Sequence, residues 1–360
     1  MQHQQAHFLL VGEGNFSFSV HLYKERGCDT HIIATCYDSE ESVSEQAFTK
    51  SNVQFLRDKG AEIYFSVNCT KLKEYFLPAR RNFDRIYFNF PHCGKKAGIK
   101  KNRELLAKFF CSCADVLAEK GDIHVALCRG QGGTLADQPV REWHNSWQVV
   151  AMAAEAGFIL SGIEPFNIKD VGGYKCTGYR NQDKSFHMEG AVNHIFTRSV
   201  PFLHSQPLIC KAELEGKLMS CEIPQIFLDK IKRNYLDINS KHPVRTINEK
   251  LIDHLGRSFT VQKNFSLYPP TYVHDISFWV PDAETFHEIQ FHIIARRVSL
   301  DTIVSIQLLD RFQHPGATQT SLCYRLTYQS CDKALGGPQA AAMQMELREE
   351  LQRCLRVVVR

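Results

Sequence analysis

Short apolar runs alternate with amphipathic stretches over the first 200 residues. The runs predict strands at His7–Val11, His31–Tyr37, Glu62–Val67, Asp84–Phe90, Ile123–Cys128, Phe158–Pro165 and His194–Arg198. Between them, apolar residues at helical spacing predict helices at Asn102–Ala118 and Val140–Ala156. Strands that are almost wholly apolar and alternate with helices indicate an α/β fold, with a mostly parallel sheet covered on both faces.

The pattern changes twice after residue 200. Residues 201–266 carry scattered prolines and short helical patches, which predicts a linker or a small helical segment. The residues from 267 onward predict strand, helix, strand, strand, helix and strand at Asp275–Val280, Glu284–Arg297, Thr302–Phe312, Ser321–Gln329, Gln339–Leu355 and Arg356–Arg360. That order is the α+β ferredoxin-like motif. We therefore divide the chain into domains at 1–200 and 267–360, joined by residues 201–266.

Composition limits the function classes. Lys plus Arg number 43 and Asp plus Glu 39, a formal net charge of +4, so nucleic acid would be held by local patches and not by bulk charge. No apolar run approaches the ~20 residues that span a bilayer, so we expect no membrane span, and the first residues also lead us to expect no signal segment. Thirteen scattered cysteines without a CxxC pair predict a reduced compartment, cytoplasmic or nuclear and nucleolar, and no metal site.

A glycine loop follows the first predicted strand, with the sequence Gly12-Glu13-Gly14-Asn15-Phe16-Ser17. Such a turn lets the backbone approach a ligand closely, and the next helix offers its N-terminal N–H groups. The second strand is followed by Asp38, which can accept hydrogen bonds from ribose hydroxyls. The pattern fits NAD, FAD or S-adenosylmethionine, and it also fits a tight turn that binds nothing.

A second signal is the tetrapeptide Asn89-Phe90-Pro91-His92 at the end of the fourth predicted strand. Ligands of open α/β sheets bind outside the carboxyl ends of the strands, so we expect this turn and the glycine loop to face one crevice. An amide side chain and a carbonyl before proline suit the edge of a planar base. His92 would either accept a ring proton or serve as a hydrogen-bonding loop residue. The alternative is a strand exit whose asparagine is internally satisfied.

A basic segment follows directly. It contains no acidic residue and contributes Lys95, Lys96, Lys100, Lys101 and Arg103. A phosphate backbone calls for such a cluster, and a small metabolite does not. The alternative is an ordinary solvated loop.

Several long strings carry a resemblance to a known family. Leu9–Ser19, Phe83–Gly94, Asn102–Leu106, Gly121–Leu127 and Trp147 resemble the 25S rRNA uridine-N3 methyltransferase-like family. The resemblance covers most of residues 7–199. It implies a class I methyltransferase fold, Rossmann-like, with S-adenosylmethionine as the cofactor and RNA as the substrate.

The resemblance also implies site residues. The cofactor would contact Gly12, Glu13, Gly14, Asn15, Phe16, Asp38 and Asn68, and the target base would meet Asn89, Pro91 and His92. Asn68 stands where an acidic residue is expected on the adenine side, and the stretch Gly130–Asp137 departs from the family pattern.

A second resemblance covers residues 266–360. Tyr268–Phe278 and Ser321–Ser330 resemble the ferredoxin-fold anticodon-binding domain of phenylalanyl-tRNA synthetases, which implies RNA binding by a sheet face. Residues 262–360 hold equal numbers of basic and acidic residues, so binding would depend on stacking and on placed arginines. The candidates are Arg311, Arg325, Tyr324 and Tyr328, although the two tyrosines share a face that is also a candidate core.

Three functions compete at this point. The first is an S-adenosylmethionine-dependent RNA base methyltransferase, at uridine N3, whose last domain binds rRNA or tRNA. The second is a non-catalytic RNA-binding protein with a degenerate methyltransferase fold. The third, a nicotinamide oxidoreductase, leaves the Asn-Phe-Pro-His turn and the last domain unexplained. Residues 241–251 faintly resemble the start of a synthetase catalytic core, but the chain before the Tyr-Pro-Pro turn is too short for that domain, so no tRNA charging is expected.

Overall fold

The computed structural model describes residues 5–76, 82–94, 97–166, 171–177, 188–202, 259–260, 265–280, 286–300, 302–313 and 319–360. Lys95 and Lys96 lie outside the described residues, as does most of the predicted 201–266 segment. The chain divides into two compact units, one built mainly on residues 1–200 and the other mainly on residues 269–360.

The first unit is built on one sheet. Its strands are β1 (Ala6–Val11), β2 (Thr30–Thr35), β3 (Glu62–Tyr64), β4 (Phe83–Asn89), β5 (Leu117–Leu127), β6 (Phe158–Pro165), β7 (Val192–Arg198) and β8 (Phe259–Thr260). Their order is β3-β2-β1-β4-β5-β7-β6-β8. The strands from β3 to β5 pair in parallel, and β7 is antiparallel to both β5 and β6. This order with one reversed inner strand is the class I methyltransferase arrangement, so the predicted fold class is confirmed.

Helices connect these strands. They are α1 (Ser17–Arg26), α2 (Glu40–Ser44), α3 (Ala47–Asp58), α4 (Leu72–Phe76), α5 (Ile99–Ala114) and α6 (Val149–Ala154). Helix α5 buries its apolar stripe, which includes Leu106, Phe109 and Phe110. The predicted helix 140–156 is wrong over its first half. Residues 143–145 form a 3₁₀ turn and Gln148 has a φ of 52°, so the α-helix begins only at residue 149.

The second unit is a four-stranded antiparallel sheet with two helices. The strands are β9 (Tyr272–Val280), β10 (Ile303–Gln313), β11 (Thr320–Tyr328) and β12 (Val358–Val359), in the order β10-β11-β9-β12. The helices are α7 (Glu288–Val298) and α8 (Gly337–Leu355). Both helices bury their apolar residues in one core with the inner sheet face. The order of the elements is the predicted β-α-β-β-α-β, so the ferredoxin-like fold is confirmed as well.

Among the described residues, no helix combines the length and the apolar character that crossing a bilayer requires.

Candidate functional site

The glycine loop is shaped by close packing after β1. Gly12 has a φ of +69°, and a Cβ there would lie 2.7 Å from Cε2 of the Phe88 ring. The N–H of Glu13 donates to the carbonyl of Thr35 at 2.9 Å, which ties the loop to β2. The Glu13 carboxylate is buried and accepts hydrogen bonds from the N–H and Oγ of Ser19, at 3.2 and 2.8 Å. Burial raises the pKa of this carboxyl to about 7.

The next two loop residues play different parts. Oδ1 of Asn15 accepts from the N–H of Ser17 at 3.0 Å, and its Nδ2 donates to the carbonyl of Lys175 at 2.9 Å. Phe16 has a φ of 58° and a fully buried ring that packs edge-to-face on Phe65. The Phe16 side chain therefore belongs to the core, and a cofactor contact through its ring, as the sequence suggested, does not fit this position.

The Asn-Phe-Pro-His turn leaves the carboxyl end of β4. Phe90 has a φ of 52°, and its N–H donates to the carbonyl of Ala126 at 2.8 Å, so the turn is fastened to β5. The Nδ2 atom of Asn89 is buried, and no acceptor lies within hydrogen-bond reach of it in the described part of the chain. Leaving a buried donor without a partner costs roughly 1–3 kcal/mol, so such groups are rare in native proteins, and each calls for an explanation, of which a bound ligand is one.

His92 is half-buried and lines the same cavity as Asn89. Its Nδ1 accepts the N–H of Gly94 at 2.8 Å, and its ring centroid lies 6.2 Å from that of Trp147. Burial lowers the pKa of the imidazole. A neutral ring whose Nδ1 accepts must carry its proton on Nε2. This geometry favours a hydrogen-bond donor at His92 over the proton acceptor that the sequence had left open.

Asn102, at the start of α5, braces the loop behind this turn. Its Oδ1 accepts the N–H of Cys93 at 3.0 Å, and its side-chain nitrogen donates to the carbonyls of Ala97 and Gly98 at 3.4 and 3.3 Å. Its role was not predicted from the sequence, where it was visible only as one letter of the string Asn102–Leu106.

The two turns line one cavity of about 610 Å³. The sequence-predicted residues on its wall are Gly12, Glu13, Gly14, Asn15, Asp38, Asn68, Asn89, Pro91, His92 and Lys101. Helix α5 adds Glu104, Leu105 and Lys108 to the wall. The expectation that both corners face a shared crevice is therefore met in the geometry.

A strap of irregular chain closes another side of the cavity and was missed by the sequence reasoning. Residues 174–177 line the wall. Lys175 holds the strap on the glycine loop, because its N–H donates to Oγ of Ser17 at 3.0 Å and its carbonyl accepts from Asn15. Its Nζ lies 4.1 Å from the ring centroid of Phe48. No periodicity marks such a segment, so the sequence pattern gave no signal for it.

Asn68 serves a local structural purpose as well as lining the cavity. Its Oδ1 accepts from the N–H and Oγ1 of Thr70, at 3.0 and 2.8 Å, and so caps the 3₁₀ turn Cys69–Lys71. An amide performs this capping with one oxygen, as Asn and Asp commonly do.

The basic segment is divided between different surroundings. Lys101 lines the cavity and Lys100 is exposed on the first turn of α5. Arg103 points elsewhere, and its guanidinium donates to the carbonyls of His144 and Ser146, at 2.8 and 2.6 Å from Nη2. Arg103 therefore braces the loop after β5, and its contact with RNA stays a prediction.

The candidates in the second unit are sorted by the sheet face on which they lie. Tyr324 and Tyr328 are core residues whose hydroxyls donate to Glu288 and Gln344, so their candidacy as RNA contacts is wrong. Arg325 is exposed but forms a two-pronged pair with Asp275, at 2.8 Å for both bonds. Arg311 is exposed on β10.

The outer sheet face carries residues that the sequence reasoning did not single out. Trp279 faces Ser321 across β9 and β11, and Ser321 faces Phe312 across β11 and β10. These three residues form one cross-strand row on the face opposite the core. The Arg360 guanidinium lies 4.4 Å from the Trp279 ring centroid. Side chains alternate between the two faces of a strand, so the sequence predicts which residues share a face but not which face is buried.

No group of three or more His, Cys, Asp or Glu side chains within the described ranges is arranged to hold a metal ion.

Comparison with known families gives two matches. Residues 9–178 match the family described as rRNA (uridine-N3-)-methyltransferase BTM5-like, and residues 266–360 match the ferredoxin-fold anticodon-binding domain.

Individual relatives extend this similarity over the whole chain. "Ferredoxin-fold anticodon-binding domain-containing protein 1" of Homo sapiens is 33% identical over an alignment of 618 residues that covers 98% of this chain and 99% of that protein. The Mus musculus homolog is 32% identical, with coverages of 97% and 99%. Since the alignment is far longer than the 360 residues of this chain, a long stretch of these relatives has no counterpart here.

Other similarities are partial. The mitochondrial phenylalanine–tRNA ligase of Dictyostelium discoideum is 37% identical over 98 residues, which cover 27% of this chain and 21% of that protein. The solved 30S ribosomal A1408 methyltransferase from an uncultured bacterium has a TM-score of 0.37 and 17% identity, with 54% of this chain and 88% of that chain covered.

Proposed function

Since the chain belongs to the family of ferredoxin-fold anticodon-binding domain-containing protein 1, we propose that it is an S-adenosylmethionine-dependent RNA methyltransferase that modifies N3 of a uridine. One observation carries the proposal. The side chain of Asn89 lines the same cavity as the glycine loop, and its buried Nδ2 has no acceptor among the residues that the structure describes. A donor held in this way is suited to a carbonyl oxygen of a base that enters the cavity.

The residues at the other end of the cavity fit the cofactor. Gly12 leaves a cradle that a Cβ would fill, and the half-buried Asp38 lines the wall after β2, where it can bind ribose hydroxyls. Asn15 and Lys175 hold the loop and the strap in place around this space. When bound, S-adenosylmethionine supplies an electrophilic methyl group on its sulfonium. The chain's task is to hold the base nitrogen near it and to exclude water.

The base end of the cavity favours uracil over cytosine. N3 of uracil lies between two carbonyl oxygens, whereas N3 of cytosine lies between a carbonyl and an amino group. Asn89 offers an Nδ2 donor on the wall of the cavity. A donor at this position suits the carbonyl next to N3 that uracil has and cytosine lacks, and it would also stabilise the negative charge that the uracil ring gains when N3 loses its proton.

The second unit would tether the RNA. Trp279 and Phe312 flank the small residue Ser321 in one cross-strand row, so an unpaired RNA base can stack on the aromatic ring at either side of it. Tethering raises the effective concentration of the target at the cavity. We include Arg360 as a candidate phosphate contact at this face, Arg311 on the opposite face of β10, where it pairs with Leu322, and Lys100 and Lys101 in the first unit.

The experiment compares the wild-type chain with Asn89→Ala and Asn89→Asp. Calorimetry should give S-adenosylmethionine affinities within about twofold for all three, while methyl transfer to uridine-containing RNA falls by about 10²–10³ in both variants, because each lacks the preorganised donor. Wild type that binds no S-adenosylmethionine, or Asn89→Ala that turns over normally, would contradict the proposal.

The alternative is a non-catalytic RNA-binding protein, and Asn68 is the observation that favours it. The side chain caps a turn at a position where the family resemblance led us to expect a carboxylate for the cofactor. Asn68→Asp keeps the capping oxygen, so it serves as the test. Cofactor binding that appears only in Asn68→Asp would support the alternative, whereas binding by the wild type would support the enzyme.

A further inference from the structure

An exposed tryptophan is displayed on the loop after β5. The Trp143 side chain is 41% exposed and belongs to the short 3₁₀ turn Trp143–Asn145. Leu135 and Val140, at 37% and 51% exposure, belong to the same loop. Tryptophan has the largest apolar surface of any side chain, so leaving it in water is costly unless a partner covers it.

The backbone beneath this ring is fixed. The Trp143 carbonyl accepts hydrogen bonds from Oγ of Ser146 at 2.9 Å, from Nε2 of Gln148 at 3.0 Å and from Arg103 at 3.4 Å. Arg103 also donates to the carbonyls of His144 and Ser146. A Cβ on Gly133 would lie 2.2 Å from Oγ of Ser146, so the two loop segments are in direct contact. These hydrogen bonds fix the backbone at Trp143, and we call residues 143–148, with the Arg103 side chain that donates to them, the platform.

The platform is connected to the proposed base pocket. The Trp147 N–H donates to the Gln131 carbonyl at 2.7 Å, and the Val149 N–H donates to the Gly132 carbonyl at 3.0 Å. The Trp147 ring lies 6.2 Å from the His92 ring, centroid to centroid. The loop thus runs from the wall of the cavity to the exposed indole within four residues.

The surrounding charge indicates which partner the indole meets. Arg103, which braces the platform, belongs to the first turns of α5 beside Lys100 and Lys101, and Arg129 and Arg141 belong to the loop itself. The acidic residues of the loop are Asp137, which is fully buried, and Glu142. A flat apolar ring on a loop that also carries two exposed arginines suits a nucleobase with its phosphates more than it suits an apolar protein surface.

We propose that Trp143 is a stacking platform for an unpaired base of the RNA strand next to the target nucleotide. This inference rests on the proposed function for the identity of the target, but binding of RNA by Trp143 does not require methyl transfer. The indole would stack on one base while Lys100 and Arg141 meet the neighbouring phosphates. Stacking of this kind tolerates any base, so it would position the strand without specifying its sequence.

The test uses the full chain and a fluorescein-labelled single-stranded RNA of about 12 nucleotides, with its duplex as a second probe. Trp143→Ala should weaken single-strand binding by about five- to hundred-fold, and Trp143→Phe should recover most of it. Val140→Ala, an exposed apolar change in the same loop, is the matched control and should bind like wild type. Quenching of tryptophan fluorescence by RNA should be reduced in both Trp143 variants.

Each other outcome overturns the inference. Trp143→Ala that binds within twofold of wild type, or wild type that binds no single-stranded RNA, excludes the stacking role. Equal losses of RNA binding in Val140→Ala and Trp143→Ala would show that the loss follows from disturbing the loop and not from stacking on the indole. S-adenosylmethionine affinity, measured in parallel, separates the two proposals. If the wild type binds no S-adenosylmethionine, the proposed function fails, but RNA binding that depends on Trp143 can still be observed.

Discussion

The two units present their functional groups in different ways. The first unit gathers polar side chains at the carboxyl ends of β1, β2 and β4 around a cavity of about 610 Å³. The second unit offers the outer face of an antiparallel sheet, where Trp279, Ser321 and Phe312 form a row. A cavity can exclude water and orient a reacting atom, whereas an open face holds a flat ligand from one side. We therefore propose that the first unit carries the reaction site and that the second unit binds the RNA.

Among changes that should affect one unit and not the other, we expect the largest effect at Gly12, on S-adenosylmethionine affinity. Gly12→Ala places a methyl group 2.7 Å from the Phe88 ring, in the wall of the cavity. We expect S-adenosylmethionine affinity to fall by about 100-fold or more, because small displacements at a positioned site cost that much. RNA binding through the second unit should be unchanged. Calorimetry and RNA titration measure both quantities.

Gly60→Ala is the matched control for this change. Gly60 also has a positive φ, of +81°, but no atom lies within 4 Å of a Cβ there. Gly60→Ala should lose about 1–2 kcal/mol of stability from its backbone conformation, Gly12→Ala should lose more because of the contact with Phe88, and only Gly12→Ala should lose the cofactor. Equal cofactor binding by the two variants would show that the glycine loop is not the cofactor site.

The next effect concerns pH and the buried carboxyl of Glu13. Its pKa is about 7 in the folded chain, above the ordinary 4.5, because burial disfavours the charged form. The unfolded chain therefore releases this proton first as pH rises. The contribution of the protonated Glu13 carboxyl to the free energy of unfolding is therefore fully present below pH 4.5 and is lost by about pH 7. At 1.36 kcal/mol per pKa unit, the change is about 3 kcal/mol.

Glu13→Gln removes this titration while keeping an oxygen that can accept from Ser19. The variant should be more stable than wild type at pH 8 by up to about 3 kcal/mol and should lose this advantage at pH 5. Denaturant unfolding, followed by the fluorescence of Trp143 and Trp147 in the first unit, measures the difference. The same dependence of stability on pH in Glu13→Gln and in the wild type would contradict the assignment.

A third experiment compares the two faces of the second unit. Trp279→Ala removes an outer-face ring and should weaken RNA binding by about five- to hundred-fold with little change in stability. Tyr324→Phe removes a buried hydroxyl that donates to Glu288 at 3.0 Å, so it should cost about 0.5–1.5 kcal/mol of stability and leave RNA binding unchanged. The opposite result would place the RNA on the helix-covered side and reverse our assignment of the faces.

These two faces also show why some site residues follow from sequence and others do not. Asn89 and Gly12 were found because each ends a parallel strand, and the carboxyl ends of such strands meet at one edge of the sheet. Tyr324, Tyr328 and Arg325 were all candidates on one strand, where neighbouring residues face opposite sides and the sequence does not say which side is the core. Lys175 and Trp143 lie on irregular chain, where tertiary hydrogen bonds decide the position and no period reveals it.

The smallest effect is expected at Arg325, which the sequence marked as an RNA contact. Its guanidinium is already held by both carboxylate oxygens of Asp275 at 2.8 Å, so much of its charge is neutralised at short range. Arg325→Ala should therefore weaken RNA binding by no more than about twofold at moderate salt. Asp275→Asn should release the guanidinium, strengthen binding slightly and steepen its salt dependence, because one more cation then meets the phosphates. Fluorescence titration of RNA at two salt concentrations measures both changes. Arg325→Ala that instead weakens RNA binding as much as Trp279→Ala does would contradict this expectation. The ion pair between Arg325 and Asp275 would then break when RNA binds, and the outer face would bind RNA through the Arg325 charge as well as through stacking.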